Sequence, residues 1–195
     1  SDAGSAAAVH RGYSVQSGGS GIQTVSNLTL SGQVTAASGA SFTKSGPAQL
    51  TYTTAGSNAL AGAGYLVTDG RVVFDGTAGG QTNAVQGNLG VAGASANATV
   101  VMTNTAVTTS GNMDVGIVPS STGTLNISSN SSLTVGSWFT MGDTANATST
   151  VNLDGGSITV NNGRLFLCSA PGTISTLNIN GGTITKNGDY FAVVN

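Results

Sequence analysis

Charge is scarce in this 195-residue chain. Charged residues make up 6% of it, all seven acidic residues are aspartate, and the formal net charge is −2. A surface that binds nucleic-acid phosphates needs clustered lysine and arginine, whereas the five basic residues here are scattered along the sequence. The composition therefore argues against a nucleic-acid partner.

Cysteine and long apolar runs are also nearly missing. Cys168 is the one cysteine, so it cannot form a disulfide within the chain. No run approaches the roughly 18 apolar residues of a membrane-spanning helix, and we expect no membrane span. Glutamate is absent, and glycine, threonine, serine, asparagine and valine abound instead. That set favours short strands and tight turns over helices.

Apolar pairs recur in the C-terminal half at a fixed spacing of 26 residues. One column contains Met113 and Val115, Phe139 and Met141, Leu165 and Leu167, and Phe191 and Val193. A second column contains Leu125 and Ile127, Val151 and Leu153, and Leu177 and Ile179. A period of this length is typical of a solenoid, in which each repeat buries its apolar face against its neighbours.

Each repeat holds three short runs in which apolar and polar residues alternate, as they do in a strand with one buried face. Gly155-Gly156 and Gly181-Gly182 separate two of these runs and mark tight corners. The pattern predicts an all-β, right-handed parallel β-helix with three short strands per rung of about 26 residues. The polar residues Asn126, Asn152 and Asn178 should face outward, either as a hydrogen-bonded ladder or as a solvated surface.

The periodicity divides the chain into three parts. Residues 1–20 are small, polar and aperiodic, and we interpret them as an N-terminal arm. Residues 21–86 read as irregular β-helix rungs, and residues 87–195 as regular rungs of which the last is incomplete.

The sequence indicates no catalytic residue, no cofactor and no metal site, and we expect a protein that is not an enzyme. Glycoside hydrolysis requires two carboxylates on one bond, but Asp114, Asp143 and Asp154 fall at different positions of the repeat. Trp138 and Tyr190 should face outward, where they would stack on sugars, anchor a contact or be covered by a loop.

Two segments carry a family resemblance. Phe42-Thr43-Lys44-Ser45-Gly46 leads into Gln49-Leu50-Thr51-Tyr52, and a later strand runs from Tyr65 to Phe74. This arrangement resembles the autotransporter-associated β-strand repeat of secreted bacterial β-helix proteins. The resemblance implies a β-helical fold and a role as a passenger, an adhesin or a surface structure.

The two ends of the chain suggest how such a coil would be completed. Leu28 to Thr35 matches Leu177 to Thr185 closely, so one end would supply strands that the other end lacks. The hypothesis is a structural subunit of an extracellular or cell-surface filament, a homopolymer assembled head to tail by strand stacking. The predicted assembly residues are Leu28, Leu30, Val34, Tyr190, Phe191 and Val193, with further arm contacts from Val9, Tyr13 and Val15.

The alternative hypothesis is a fragment of a large autotransporter-like passenger that acts as an adhesin or glycan-binding module. Its partner would be a cell-surface or environmental polysaccharide. Binding to glycans that depends on Trp138 or Tyr190 would favour it over the filament.

Overall fold

The computed structural model describes residues 7–92 and 97–194, and every regular element within them is a β-strand. The strands form a parallel β-helix of stacked coils, each coil contributing three sides. The first four coils contain β1 (Ala7–Val9), β2 (Tyr13–Val15), β3 (Gly19–Gln23), β4 (Leu28–Leu30), β5 (Val34–Ala36), β6 (Ser41–Ser45), β7 (Gln49–Tyr52), β8 (Gly56–Ala61), β9 (Gly64–Val67), β10 (Gly70–Asp75), β11 (Gln81–Val85) and β12 (Asn88–Val91).

The next four coils complete the described part of the chain. They contain β13 (Asn97–Thr103), β14 (Thr105–Thr109), β15 (Met113–Val115), β16 (Thr122–Ser128), β17 (Ser132–Val135), β18 (Phe139–Met141), β19 (Thr148–Val160), β20 (Leu165–Leu167), β21 (Ile174–Lys186) and β22 (Phe191–Val193). Strands β19 and β21 are 13 residues long, because each turns a corner and supplies two sides of its coil.

All strand pairs are parallel and join one coil to the next. The first side runs in the order β1-β4-β7-β10-β13-β16-β19, with β21 beyond it. The second side consists of the β2-β5 pair and the order β8-β11-β14-β17-β19. The third side is a sheet of eight strands in the order β3-β6-β9-β12-β15-β18-β20-β22. No helix in the described residues is long and apolar enough to cross a membrane.

The predicted 26-residue step is confirmed in the C-terminal half. Leu125 pairs with Val151, and Val151 with Leu177. The N-terminal half is equally regular but has shorter coils. Leu28 pairs with Leu50, and Leu50 with Val72, each a step of 22 residues. The interpretation of residues 21–86 as irregular rungs is therefore wrong, because these coils are merely shorter at their corners.

The interpretation of residues 1–20 as an arm is also wrong for the part that the structure describes; residues 1–6 lie outside it. Strand β1 pairs with β4, β2 with β5 and β3 with β6, so residues 7–23 form a complete first coil. Counted from β1, the last coil is complete as well, since β21 supplies two sides and β22 the third. Small side chains removed the apolar signal of the first coil, but parallel pairing needs only its backbone.

The interior consists of columns of like residues. Phe42 stacks on Tyr65 with ring centroids 5.1 Å apart, and Tyr52 stacks on Phe74 at 5.3 Å. Burial of each such side chain contributes roughly 1.5–3 kcal/mol. Most inward positions are aliphatic or aromatic and nearly inaccessible to solvent, as alternation predicts.

A polar cluster interrupts this interior on the second side. Asn58 donates a hydrogen bond to Oδ1 of Asn83 at 3.1 Å, and Asn83 donates to Gln81 and to Thr105. Asn58 also accepts from the backbone N–H of Val34. Each amide is buried and paired, so the cluster meets the requirement that buried polar groups have partners.

The Thr-Lys-Ser-Gly segment builds a buried corner. The side chain of Lys44 points into the coil and donates hydrogen bonds to the carbonyl oxygens of Gly46, Ala48 and Asp69. Gly46 has a φ of +81°, a conformation that favours glycine. The lysine therefore closes one corner and ties it to the next coil.

The Asn ladder is present on the outside of the first side. Asn152 donates to Oδ1 of Asn126 at 2.7 Å, and Asn178 donates to Oδ1 of Asn152 at 2.7 Å. The ladder adds side-chain hydrogen bonds parallel to those of the backbone.

Candidate functional site

The last coil exposes residues whose equivalents are buried elsewhere. Ile179 is 55% exposed, whereas Leu153, its partner in the preceding coil, is fully buried. Phe191 is 52% exposed and its partner Leu165 only 3%. Val193 is 67% exposed. These side chains point along the apolar columns and contact a coil on one face only, so they form an open apolar edge.

The predicted residues at this end lie where they were expected. Phe191 and Val193 are in β22, which pairs with β20 on one side. Tyr190 precedes that strand and is 49% exposed on the outside of the third side. The backbone of β22 and of β21 thus carries a free ladder edge of the kind that accepts another strand.

The predicted residues at the opposite end do not lie on an edge, and this assignment is wrong. Leu28 pairs with Ala7 and Leu30 with Val9, while Val34 pairs with Tyr13. Leu30 and Val34 are 3% and 2% exposed. All three residues belong to the second coil and are covered by the first.

The actual N-terminal edge is the first coil. On its first side, Val9 is 39% exposed. On its third side, β3 pairs only with β6, and Ile22 packs partly against the core. On the second side, Val15 is fully buried, and Tyr13 makes an edge contact with Phe42 at 6.1 Å. Val9, Tyr13 and Val15 are therefore strand residues of this coil and not parts of an arm.

A column of aromatic residues and one arginine lies on the outside of the third side. Trp138, Arg164 and Tyr190 each precede a strand of this side in three successive coils. The Arg164 guanidinium lies 5.3 Å from the Trp138 ring centroid and 4.6 Å from that of Tyr190. Phe166 meets both rings edge-on, at 5.9 and 6.1 Å. We call Trp138, Arg164, Phe166 and Tyr190 the aromatic column.

The arginine of this column has an acidic partner. Nε of Arg164 donates to Oδ2 of Asp189 at 3.1 Å, and both side chains are partly exposed. A sequence comparison of coils places Arg164 and Asp114 on the same side, but the observed ion pair is with Asp189. The position of Asp189 immediately before Tyr190 is the signal that would have identified it.

A cleft further along the third side brings two carboxylates together. It has a volume of about 330 Å³, and its lining includes Leu66, Gly90, Asp114, Ile117 and Asp143. Sequence reasoning placed these acids apart. It missed that the loop after β18 returns over the neighbouring coil, where the backbone N–H of Asp143 donates to the carbonyl of Gly116.

Asp114 is only 9% exposed in this cleft. Burial, together with the nearby carboxylate of Asp143, raises the pKa of Asp114 to about 7, and a hydrogen bond from Thr140 opposes the rise. Asp114 therefore gains or loses a proton near neutral pH. No group of three or more histidine, cysteine or acidic side chains arranged to hold a metal ion occurs among the described residues.

Comparison of the chain with protein-family models, with curated proteins and with solved structures returns no match.

Proposed function

We propose that this chain is the structural subunit of an extracellular filament, in which copies stack end to end along the solenoid axis. The observation that carries the proposal is the exposure of Ile179, Phe191 and Val193, which extend the apolar columns to an uncovered coil. An apolar edge with free backbone groups favours addition of another parallel coil. A contact between different ends of identical molecules does not close, so it propagates as a filament.

Continuation of the observed registers defines the joint on the first side. Val9 belongs to the column that passes through Leu30 and Leu153 to Ile179, and Ala7 to the column of Leu177. A second copy added in register would place Val9 on Ile179 and Ala7 on Leu177. A larger side chain meets a smaller one at the second of these contacts, which allows close packing.

The third side continues in the same way. Its registers place Ser20 of the added copy on Phe191, and Ile22 on Val193. Gly19 would meet Tyr190, and nothing lies within 4 Å of the position that a Gly19 side chain would take. This open space accommodates the tyrosine ring.

The joint relies on the first and third sides. On the second side, the same registers would place Lys186 against the buried Val15, and a charged residue facing inward weakens pairing at an edge. The second side therefore contributes less to the affinity and more to the choice of register.

Two blocked variants test the proposal. Val193→Asp places a carboxylate in the C-terminal edge, and Ile22→Asp places one in the N-terminal edge. We expect each variant alone to sediment as a monomer and an equimolar mixture to form dimers, because each retains one intact end. Val25→Asp is the matched control, since Val25 is 79% exposed at a corner outside both edges.

Sedimentation velocity of the wild-type chain over a range of concentrations gives the reference. Growth of wild-type and Val25→Asp assemblies with concentration supports the proposal, provided that circular dichroism shows the blocked variants folded. Wild-type monomers at every concentration, or mixtures of blocked variants that stay monomeric, would contradict it.

A further inference from the structure

Trp138 is exposed without an explanation from the fold. It is 42% exposed, yet it lies two coils before the C-terminal edge. The other exposed large apolar side chains given for the described residues lie in the first or last coil, apart from Val25 at the corner after β3. Edge position accounts for them, but it does not account for an indole in the middle of a strand face.

The positions before Trp138 in the same column have a structural task that Trp138 does not share. Oδ1 of Asn88 accepts a hydrogen bond from the backbone N–H of Asn112 at 2.9 Å. Oδ1 of Asn112 accepts one from the backbone N–H of Trp138 at 3.2 Å. These amides cap the following coil, whereas the Trp138 side chain is turned toward Arg164 and Phe166.

The aromatic column holds its rings in a fixed arrangement. Arg164 contacts Trp138, Phe166 and Tyr190 at 5.3, 5.6 and 4.6 Å from the ring centroids. Cation–π contacts of this kind orient both the guanidinium and the rings. Trp138 and Tyr190 are two coil steps apart, roughly 9.6 Å along the axis. A ligand that spans both rings must therefore be elongated in the axial direction.

The polar groups beside the rings are balanced in charge. The Arg164 guanidinium supplies hydrogen-bond donors and the Asp189 carboxylate supplies acceptors, and the two groups form an ion pair. Hydroxyl groups both donate and accept, so they match this pair. The carbon-bound hydrogens of a pyranose ring match the apolar faces and edges of the aromatic side chains.

We propose that the aromatic column binds the uncharged pyranose units of a linear polysaccharide that lies along the solenoid axis. Trp138 supplies the main stacking surface, and Arg164 with Asp189 supplies the hydrogen bonds to ring hydroxyls. A polysaccharide rich in carboxylates fits less well, because Asp189 already neutralises Arg164 and repels further negative charge. This site is independent of the filament joint, since Trp138 lies outside it.

Intrinsic fluorescence tests the site directly, because Trp138 is the only tryptophan in the chain. Titration of the wild-type protein with the neutral hexasaccharide cellohexaose, laminarihexaose or mannohexaose should change its emission in a saturable way for at least one of them. Titration with hexagalacturonate should produce a weaker change at the same ionic strength. Absence of a saturable change with all three neutral hexasaccharides would overturn the proposal.

Isothermal titration calorimetry with the best hexasaccharide separates the roles of the residues. Trp138→Ala should weaken binding by about tenfold or more, and Trp138→Phe should weaken it less because it keeps a ring. Val25→Ala removes an equally exposed apolar side chain elsewhere and should bind as the wild type does. Unchanged affinity in a folded Trp138→Ala variant, or a preference for hexagalacturonate, would contradict the assignment.

Discussion

Nζ of Lys44 lies 2.7 Å from the carbonyl oxygen of Asp69, which places a buried ammonium group between two successive coils. The same nitrogen donates to the carbonyls of Gly46 and Ala48. Burial lowers the pKa of Lys44, and the negative charge of Asp69 opposes that change. The three carbonyls are the partners that make burial of this lysine tolerable.

Substitution of Lys44 by methionine keeps the length of the side chain and removes its donors. The carbonyl oxygens of Gly46, Ala48 and Asp69 then lose a buried partner, and we expect a loss of about 3 kcal/mol in the free energy of unfolding. Urea denaturation measures this change. Lys186→Met in the last coil is the control and should cost far less; equal losses would refute the role assigned to Lys44.

Asp114 should make stability depend on pH. Its pKa is raised to about 7 in the folded state from an ordinary value of 3.8. Between these values the folded state holds a proton that the unfolded state has released, so stability falls as pH rises from about 4 to 7. Asp114→Asn should flatten this decline, by a few kcal/mol at pH 8. Thermal melts across the pH range provide the measurement.

Asp143 supplies a check on the cause of that shift. Asp143→Asn removes the repelling carboxylate, so it should lower the pKa of Asp114 while leaving the burial contribution in place. The pH-dependent decline should then begin and end at lower pH than in the wild type. A decline that persists unchanged in Asp114→Asn would mean that another group causes it.

The tyrosine pair in the core should show strong coupling. The hydroxyl oxygens of Tyr52 and Tyr65 are 3.0 Å apart, and each side chain is 1% exposed. Either single change to phenylalanine leaves one buried hydroxyl without its partner and should cost roughly 1–2 kcal/mol. The double variant should cost less than the sum of the single changes. Strict additivity in a double-mutant cycle would show that the two hydroxyls do not interact.

The Asn ladder predicts a graded effect. Asn152 makes two ladder hydrogen bonds, one with Asn126 and one with Asn178, whereas Asn178 makes one of these. Asn152→Ala should therefore cost about 1 kcal/mol and Asn178→Ala about half as much. Chemical denaturation of the two variants gives the comparison. A larger loss for Asn178→Ala would argue against a stabilising ladder.

The C-terminal coils were predictable because their apolar columns are made of large side chains at a constant step. Leu125, Val151 and Leu177 follow each other at 26 residues and pair as the spacing indicates. The first coil was not predictable in this way. Ala7 and Ser20 occupy inward columns but are too small to signal burial, and the coils that follow are shorter. The phase of the coils was consequently misassigned at the N-terminal end.

The polar features of the site depend on tertiary geometry. Alternation places Lys44 inward, but only the corner that brings three carbonyls around Nζ explains its burial. Asp143 reaches the cleft of Asp114 through a loop whose course has no periodic signal. By contrast, the outward position of Trp138 followed directly from its place beside the buried Phe139.

Electron microscopy of the purified chain at high concentration tests end-to-end stacking most directly. Each copy contributes eight strands to the third side, so stacking in register predicts unbranched filaments with an axial repeat of about 38 Å. The same images of Val193→Asp should show separate short particles. Wild-type particles that remain separate and no longer than one copy at every concentration would contradict the account.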